Sequence, residues 1–178
     1  KKIEALPFGK DINLIVTSDH GMTDISPERV VNINDYVKPE WCEVIDGRTP
    51  TSIFSKPEYR DSICNALKKA AHIRVWKKEE IPAELHYGSS DRIGDIVVAP
   101  ELGWQFTDVA RDTKGAHGYF PQSPDMQVMF RAIGPDFKRG YISGGFVNVG
   151  IYPLLSHLLQ IVPEKTDGQF ERIKEILR

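Results

Sequence analysis

Long apolar runs are missing from this sequence of 178 residues. Its uninterrupted stretches end after about four residues, as in Ile96 to Ala99, against the roughly twenty that a membrane-crossing helix needs. No membrane span is expected. A dominant charge is missing too. The 23 Lys and Arg face 25 Asp and Glu for a net charge of −2, so the basic field that holds a nucleic-acid polymer is absent and no such partner is expected. Cysteine is scarce. Cys42 and Cys64 are too few for a disulfide-built scaffold and form no CxxC metal or redox pair; whether they are bridged stays open. The opening Lys1-Lys2-Ile3-Glu4 carries no apolar signal segment and runs within about ten residues into a strand that reads as internal to a sheet, so the chain is expected to start in mid-protein.

What is plentiful is turn chemistry: 14 Gly and 12 Pro among 40% hydrophobic residues predict a turn-rich mixed domain. Asp11 to Ser18 reads as a buried parallel strand ending in a polar cluster. Strands of that kind deliver ligands and catalytic groups at their carboxyl ends. Between Ser26 and about Lys56 the pattern predicts small antiparallel strands, at Val30 to Ile33, Glu43 to Ile45 and Thr51 to Phe54, with an Asp46-Gly47 turn between the last two. Pro57 opens a helix expected to run through Ala71, with Ile63 and Leu67 on its apolar face. Further strands are expected at Ile73 to Lys77, Asp95 to Ala99 and Gln127 to Gly134. Asn148 is expected to cap a helix carrying Ile151, Leu154, Leu155, Leu158 and Leu159, and Gly168 to Arg178 to form a last helix. Residues 26–100 could form a smaller lobe beside the main sheet.

The most informative stretch is Ser18-Asp19-His20-Gly21-Met22. Neighbouring side chains of a regular strand face opposite ways, so Asp19 and His20 could share one ion only if the backbone turns there, as Gly21 permits. Carboxylate oxygen with neutral imidazole nitrogen suits zinc or a similar transition ion better than calcium or magnesium. The alternative is a polar surface turn. Lys114-Gly115-Ala116-His117-Gly118-Tyr119 places another histidine between glycines, with room for an ion or substrate, although His117 alone reads equally as a loop residue. His72, His86 and His157 have no ligand-spaced partners, and His157 sits on the Leu-rich helix. Arg92 and Asp95 suit an ion pair or turn; Tyr119, Trp104 and Phe106 suit packing.

Order and flanks add a constraint that each piece lacks. Ser18 to Met22, Asp91-Arg92-Ile93-Gly94-Asp95, Gly115 to Tyr119, Phe146-Val147-Asn148-Val149, Ile151-Tyr152 and Asp167-Gly168 follow one another. From about Asp11 to Gly168 the chain thereby resembles the C-terminal part of the catalytic domain of nucleotide pyrophosphatase/phosphodiesterases, members of the alkaline phosphatase superfamily.

That resemblance implies an α/β, alkaline-phosphatase-like fold: part of a central sheet flanked by helices, with a small strand-rich lobe, all 178 residues belonging to one catalytic domain. It implies hydrolysis of phosphodiester or pyrophosphate bonds in small molecules, such as nucleotides, nucleotide sugars or choline-type headgroups, by an enzyme holding two zinc ions and a threonine nucleophile. Asp19 and His20 would ligate the zinc that also holds the threonine, and His117 the other. The pattern also calls for a first-strand aspartate, the threonine, and an aspartate with a histidine four residues later, all before the Asp-His-Gly strand. None is recognisable here, so no catalytic nucleophile is assigned, zinc occupancy of the isolated chain is expected to be partial or nil, and the chain alone is expected to be inactive. Two other readings remain: a related two-metal phosphonate or phosphomonoester hydrolase, and a non-catalytic domain of the same fold. The resemblance further implies work outside the cytoplasm, in a periplasm or at a cell surface.

Overall fold

The computed structural model describes residues 2–3, 5–106 and 114–178. Among them the chain forms ten short strands and two α-helices, joined by 3-10 turns. The strands are β1 (Leu14–Thr17), β2 (Thr23–Asp24), β3 (Val30–Val31), β4 (Cys42–Gly47), β5 (Thr51–Ser55), β6 (Ile73–Lys77), β7 (Ile96–Pro100), β8 (Gln105–Phe106), β9 (Gly115–Ala116) and β10 (Phe130–Ile133); the helices are α1 (Arg60–Leu67) and α2 (Ile151–Leu158). No helix among the described residues is long and apolar enough to cross a membrane. The elements fall into two units, His20–Gln127 and Lys1–Asp19 with Val128–Arg178.

The larger unit is built on a four-stranded sheet of order β4-β5-β7-β6, antiparallel throughout. Its first hairpin turns through residues 48–50 and not at the expected Asp46-Gly47 step, since Asp46 pairs with Ser52 and Gly47 with Thr51; Gly47 ends β4 with a φ of 86°, a conformation that residues with a Cβ seldom adopt, and Ile45 lies opposite Ile53. Ile53, Ile96 and Val98 are fully buried against α1, which presents Ile63, Cys64 and Leu67. Each such side chain removed from water contributes about 1.5–3 kcal/mol before ordering costs. The parallel pair β3 and β8 adds Val31 and Phe106 to the same core. α1 is shorter than its sequence suggests, ending at Leu67 instead of Ala71. The chain must redirect into β6 by Ile73, and His72 does so with a φ of 64° that a helix cannot contain.

The smaller unit pairs β1 with β10, Leu14 opposite Ile133 and Thr17 opposite Phe130. This corrects the sequence expectation: β1 is antiparallel to its partner, and Leu14 and Val16 are about two-fifths exposed. Alternate residues explain it. Ile15, Phe130 and Ala132 pack onto a core of Phe137, Leu154, Ile173 and Ile176, while Leu14, Val16 and Ile133 stand on the other face. A short apolar run does not reveal strand direction, nor how many faces are covered. The expected helix Gly168 to Arg178 is also replaced, by two 3-10 turns at Phe170–Arg172 and Lys174–Ile176. Phe170, Ile173 and Ile176 recur every third residue, the period at which 3-10 side chains superpose, and all three face that core. Leu177 then bridges to Phe137.

Candidate functional site

The two histidines flagged by sequence meet within the larger unit. The antiparallel register sets Thr23 opposite Ala116 and Asp24 opposite Gly115. His117, one residue beyond β9, is thereby brought alongside the residues that lead into β2. The His20 and His117 rings stack with centroids 3.7 Å apart and planes 15° from parallel. His20 is half-buried and His117 exposed.

Both loops are anchored. Nδ1 of His20 lies 2.8 Å from the Gly21 carbonyl oxygen. A carbonyl only accepts, so Nδ1 is the donor in this contact. Gly21 donates its backbone N–H to the Met126 carbonyl at 3.1 Å. It is required by close approach and not by left-handed backbone, because any Cβ would collide with the Asp125 carbonyl. Asp125 also accepts from the Thr23 hydroxyl at 2.6 Å. On the other loop Gly118 has a φ of 91° and lies against the Thr49 carbonyl. Tyr119, buried, donates its hydroxyl to the Trp104 carbonyl at 2.8 Å, and burial raises its phenol above the ordinary value.

Asp19 belongs to the smaller unit, so the division between units falls at the Asp19–His20 peptide. Its side chain is exposed, and its backbone oxygen accepts from Nδ2 of Asn148 at 3.1 Å. Asn148 does not cap α2: Val147 stands at the cap of the preceding 3-10 turn, with no side-chain cap bond. Among the described residues no group of three or more His, Cys, Asp or Glu is arranged to hold a metal ion.

The other flagged residues hold structure. Asp95 accepts from the Ser55 backbone N–H at 2.8 Å and pairs with Arg60, whose Nε is 3.3 Å away, while the Arg92 backbone closes a turn on the Ser90 hydroxyl. Phe106 fills core, Trp104 packs beside it and stacks on His72, and His157 stacks on Phe170. His86 ends a 3-10 turn in left-handed backbone. Cys42 and Cys64 are free thiols, both raised in pKa chiefly by burial. Sequence reasoning missed Asp125 and the reach of Asn148. Neither has a local signature, since both bonds span more than a hundred positions.

Residues 2–120 match the family model described as type I phosphodiesterase / nucleotide pyrophosphatase. The chain belongs to this family. It is 34% identical over 178 residues to the bis(5'-adenosyl)-triphosphatase ENPP4 of Bos taurus, a match covering 99% of this chain and 39% of that relative. It is 34% identical to human ectonucleotide pyrophosphatase/phosphodiesterase family member 5, covering 93% of this chain and 35% of that protein. Murine ENPP5 superposes with a TM-score of 0.88 at 34% identity, over 96% of this chain and 46% of that one. An inactive form of the murine protein, in complex with AMP, superposes with a TM-score of 0.86 at 34% identity, over 93% and 45%. The chain thus spans about two-fifths of the length of these family members, as a partial catalytic domain does, and its fold is the family's alkaline-phosphatase-like α/β fold.

Proposed function

We propose that the protein carrying this chain is a zinc-dependent hydrolase of phosphodiester or pyrophosphate bonds in nucleotides. The observation that carries the reading is the stacked His20–His117 pair at 3.7 Å, on the two loops that hold this chain's Asp-His-Gly and His-Gly segments. The donor set fits zinc, with two imidazoles and a carboxylate. By resemblance, Asp19 and His20 hold one ion and His117 the other. A division over two ions asks no three of these side chains to converge on one point. Bound there, the ions would acidify a hydroxyl nucleophile and neutralise charge on the phosphoryl oxygens.

The chain's own residues supply the preorganisation. His20 donates through Nδ1 to the Gly21 carbonyl, as imidazole ligands do through their other nitrogen in metal sites generally. Gly21, Thr23 and Asp125 hold the loop behind it, and Gly118 and Tyr119 hold the loop behind His117. A nucleotide substrate is supported by the ENPP4 relative's named triphosphatase activity and by the AMP complex of the murine neighbour. The nucleophilic threonine is assigned to the rest of the protein, so the 178-residue chain alone is inactive.

The test is turnover of diadenosine triphosphate and of a chromogenic nucleotide diester by the full-length protein, with zinc content measured alongside. His20→Ala and His117→Ala are each expected to lower kcat by several powers of ten and to reduce bound zinc. Near-parental turnover with parental zinc in either variant would end the ligand assignment; a parent without stoichiometric zinc would favour a non-catalytic domain. By the same resemblance the protein works outside the cytoplasm. Its recovery from the cytosolic fraction of its own cells would contradict that.

A further inference from the structure

We propose that Asn148 is a positioning residue for Asp19, an inference that rests on the zinc reading above. An asparagine at the start of a helical segment ordinarily spends its side-chain oxygen on the segment's own backbone N–H groups. Asn148 opens the 3-10 turn Asn148–Gly150 that leads into α2, yet no side chain caps that turn. Its amide instead reaches across 129 positions of sequence to donate to the Asp19 carbonyl oxygen, at 3.1 Å and within the same unit.

The oxygen it holds is Asp19's own backbone carbonyl. A peptide unit is planar, so holding that oxygen restrains rotation about the Asp19 Cα–C bond. This rotation sets how the Asp19 side chain stands relative to the peptide that follows it. Asn148 restrains it from the first residue of the segment that carries α2, within one unit.

The bond lies at the surface, where one hydrogen bond adds little to stability. Its loss therefore registers in the geometry of Asp19 and only slightly in folding. The experiment uses the full-length protein with Asn148→Ala and Asn148→Asp, the second keeping the side chain's shape while losing the donor. Asn148→Gln, which keeps a donor on a longer arm, serves as the rescue. Zinc affinity is read by chelator competition, the visible spectrum of the cobalt-substituted protein reports ligand geometry, and thermal unfolding is followed in parallel.

Asn148→Ala and Asn148→Asp are expected to weaken zinc binding by about 10- to 100-fold and to alter the cobalt spectrum, with the unfolding midpoint of the metal-free protein moving by no more than about 2 °C. Asn148→Gln is expected to recover most of the affinity. Unchanged affinity and spectrum in the Ala and Asp variants, in a parent that binds zinc, would overturn the positioning role and leave the zinc reading standing. A parent that takes up no zinc would overturn the zinc reading, and this inference with it.

Discussion

The two units bury their apolar residues to different degrees. His20–Gln127 closes a core of its own, in which Val37, Ile53, Ile63, Leu67, Ile96, Val98 and Phe106 are at most about 1% exposed. The described residues of the smaller unit gather a buried hydrophobic cluster of Phe137, Leu154, Ile173 and Ile176, and leave Ile133, Ile142, Leu159 and Val162 more than half exposed. Apolar content does not explain it, since α2 of the smaller unit is the more apolar of the two helices. The difference is that β5 and β7 have a strand on either side and α1 against them, whereas β1 and β10 have each other and one packed face. A segment's sequence states how much burial it suits; the surrounding layers determine how much it receives.

The sharpest way to break this contrast is to separate the units. A polypeptide of His20–Gln127 is expected to fold alone with a cooperative thermal transition, while Lys1–Asp19 joined to Val128–Arg178 by a flexible linker is expected to show none and to bind a hydrophobic dye. A cooperative transition in the second, or its absence in the first, would reverse the comparison. A smaller effect comes from one substitution chemistry applied in both places. Leu67→Ala, in the closed core, should cost about 2–5 kcal/mol in denaturant unfolding, whereas Leu159→Ala, two-thirds exposed, should stay within about 0.5 kcal/mol. Comparable losses at both would mean that Leu159 is covered in solution.

The smallest effect concerns the anchoring of the His117 loop. Tyr119→Phe removes the bond to the Trp104 carbonyl and should cost about 0.5–1.5 kcal/mol near neutral pH. Burial raises the Tyr119 pKa, so the folded state favours the neutral phenol. Its contribution is complete below the unfolded value near 10 and fades as pH rises through the higher folded value. The stability gap between parent and variant should therefore narrow in strong alkali. A gap that widens there would contradict the sign.

Much of the candidate site was legible because its residues sit on local signals: Asp-His-Gly after an apolar strand, and His between glycines. The β4–β5 hairpin was legible as a reversal near Asp46-Gly47, but its turn falls at residues 48–50, because both of those residues still pair with β5. The stripe on α2 was read correctly as apolar but too generously as core, for Leu154 is buried while Leu155 and Leu159 are not. Asn148 was misread because a helix start is the commonest use of an asparagine there, and its actual acceptor is remote in sequence. The function of Gly21 was half-legible: a turn was expected, and the Asp125 carbonyl that forbids a side chain was not.

The sequence by itself determined the strand and turn chemistry, the residue types suited to zinc and the family pattern, because these depend on neighbours within a few positions. The tertiary structure alone decided that His20 and His117 stack, that Asp125 accepts from Thr23, that Asn148 donates to the Asp19 carbonyl, and which face of β1 is covered. Those outcomes depend on contacts between segments far apart in the chain, and such contacts leave no mark in either segment alone.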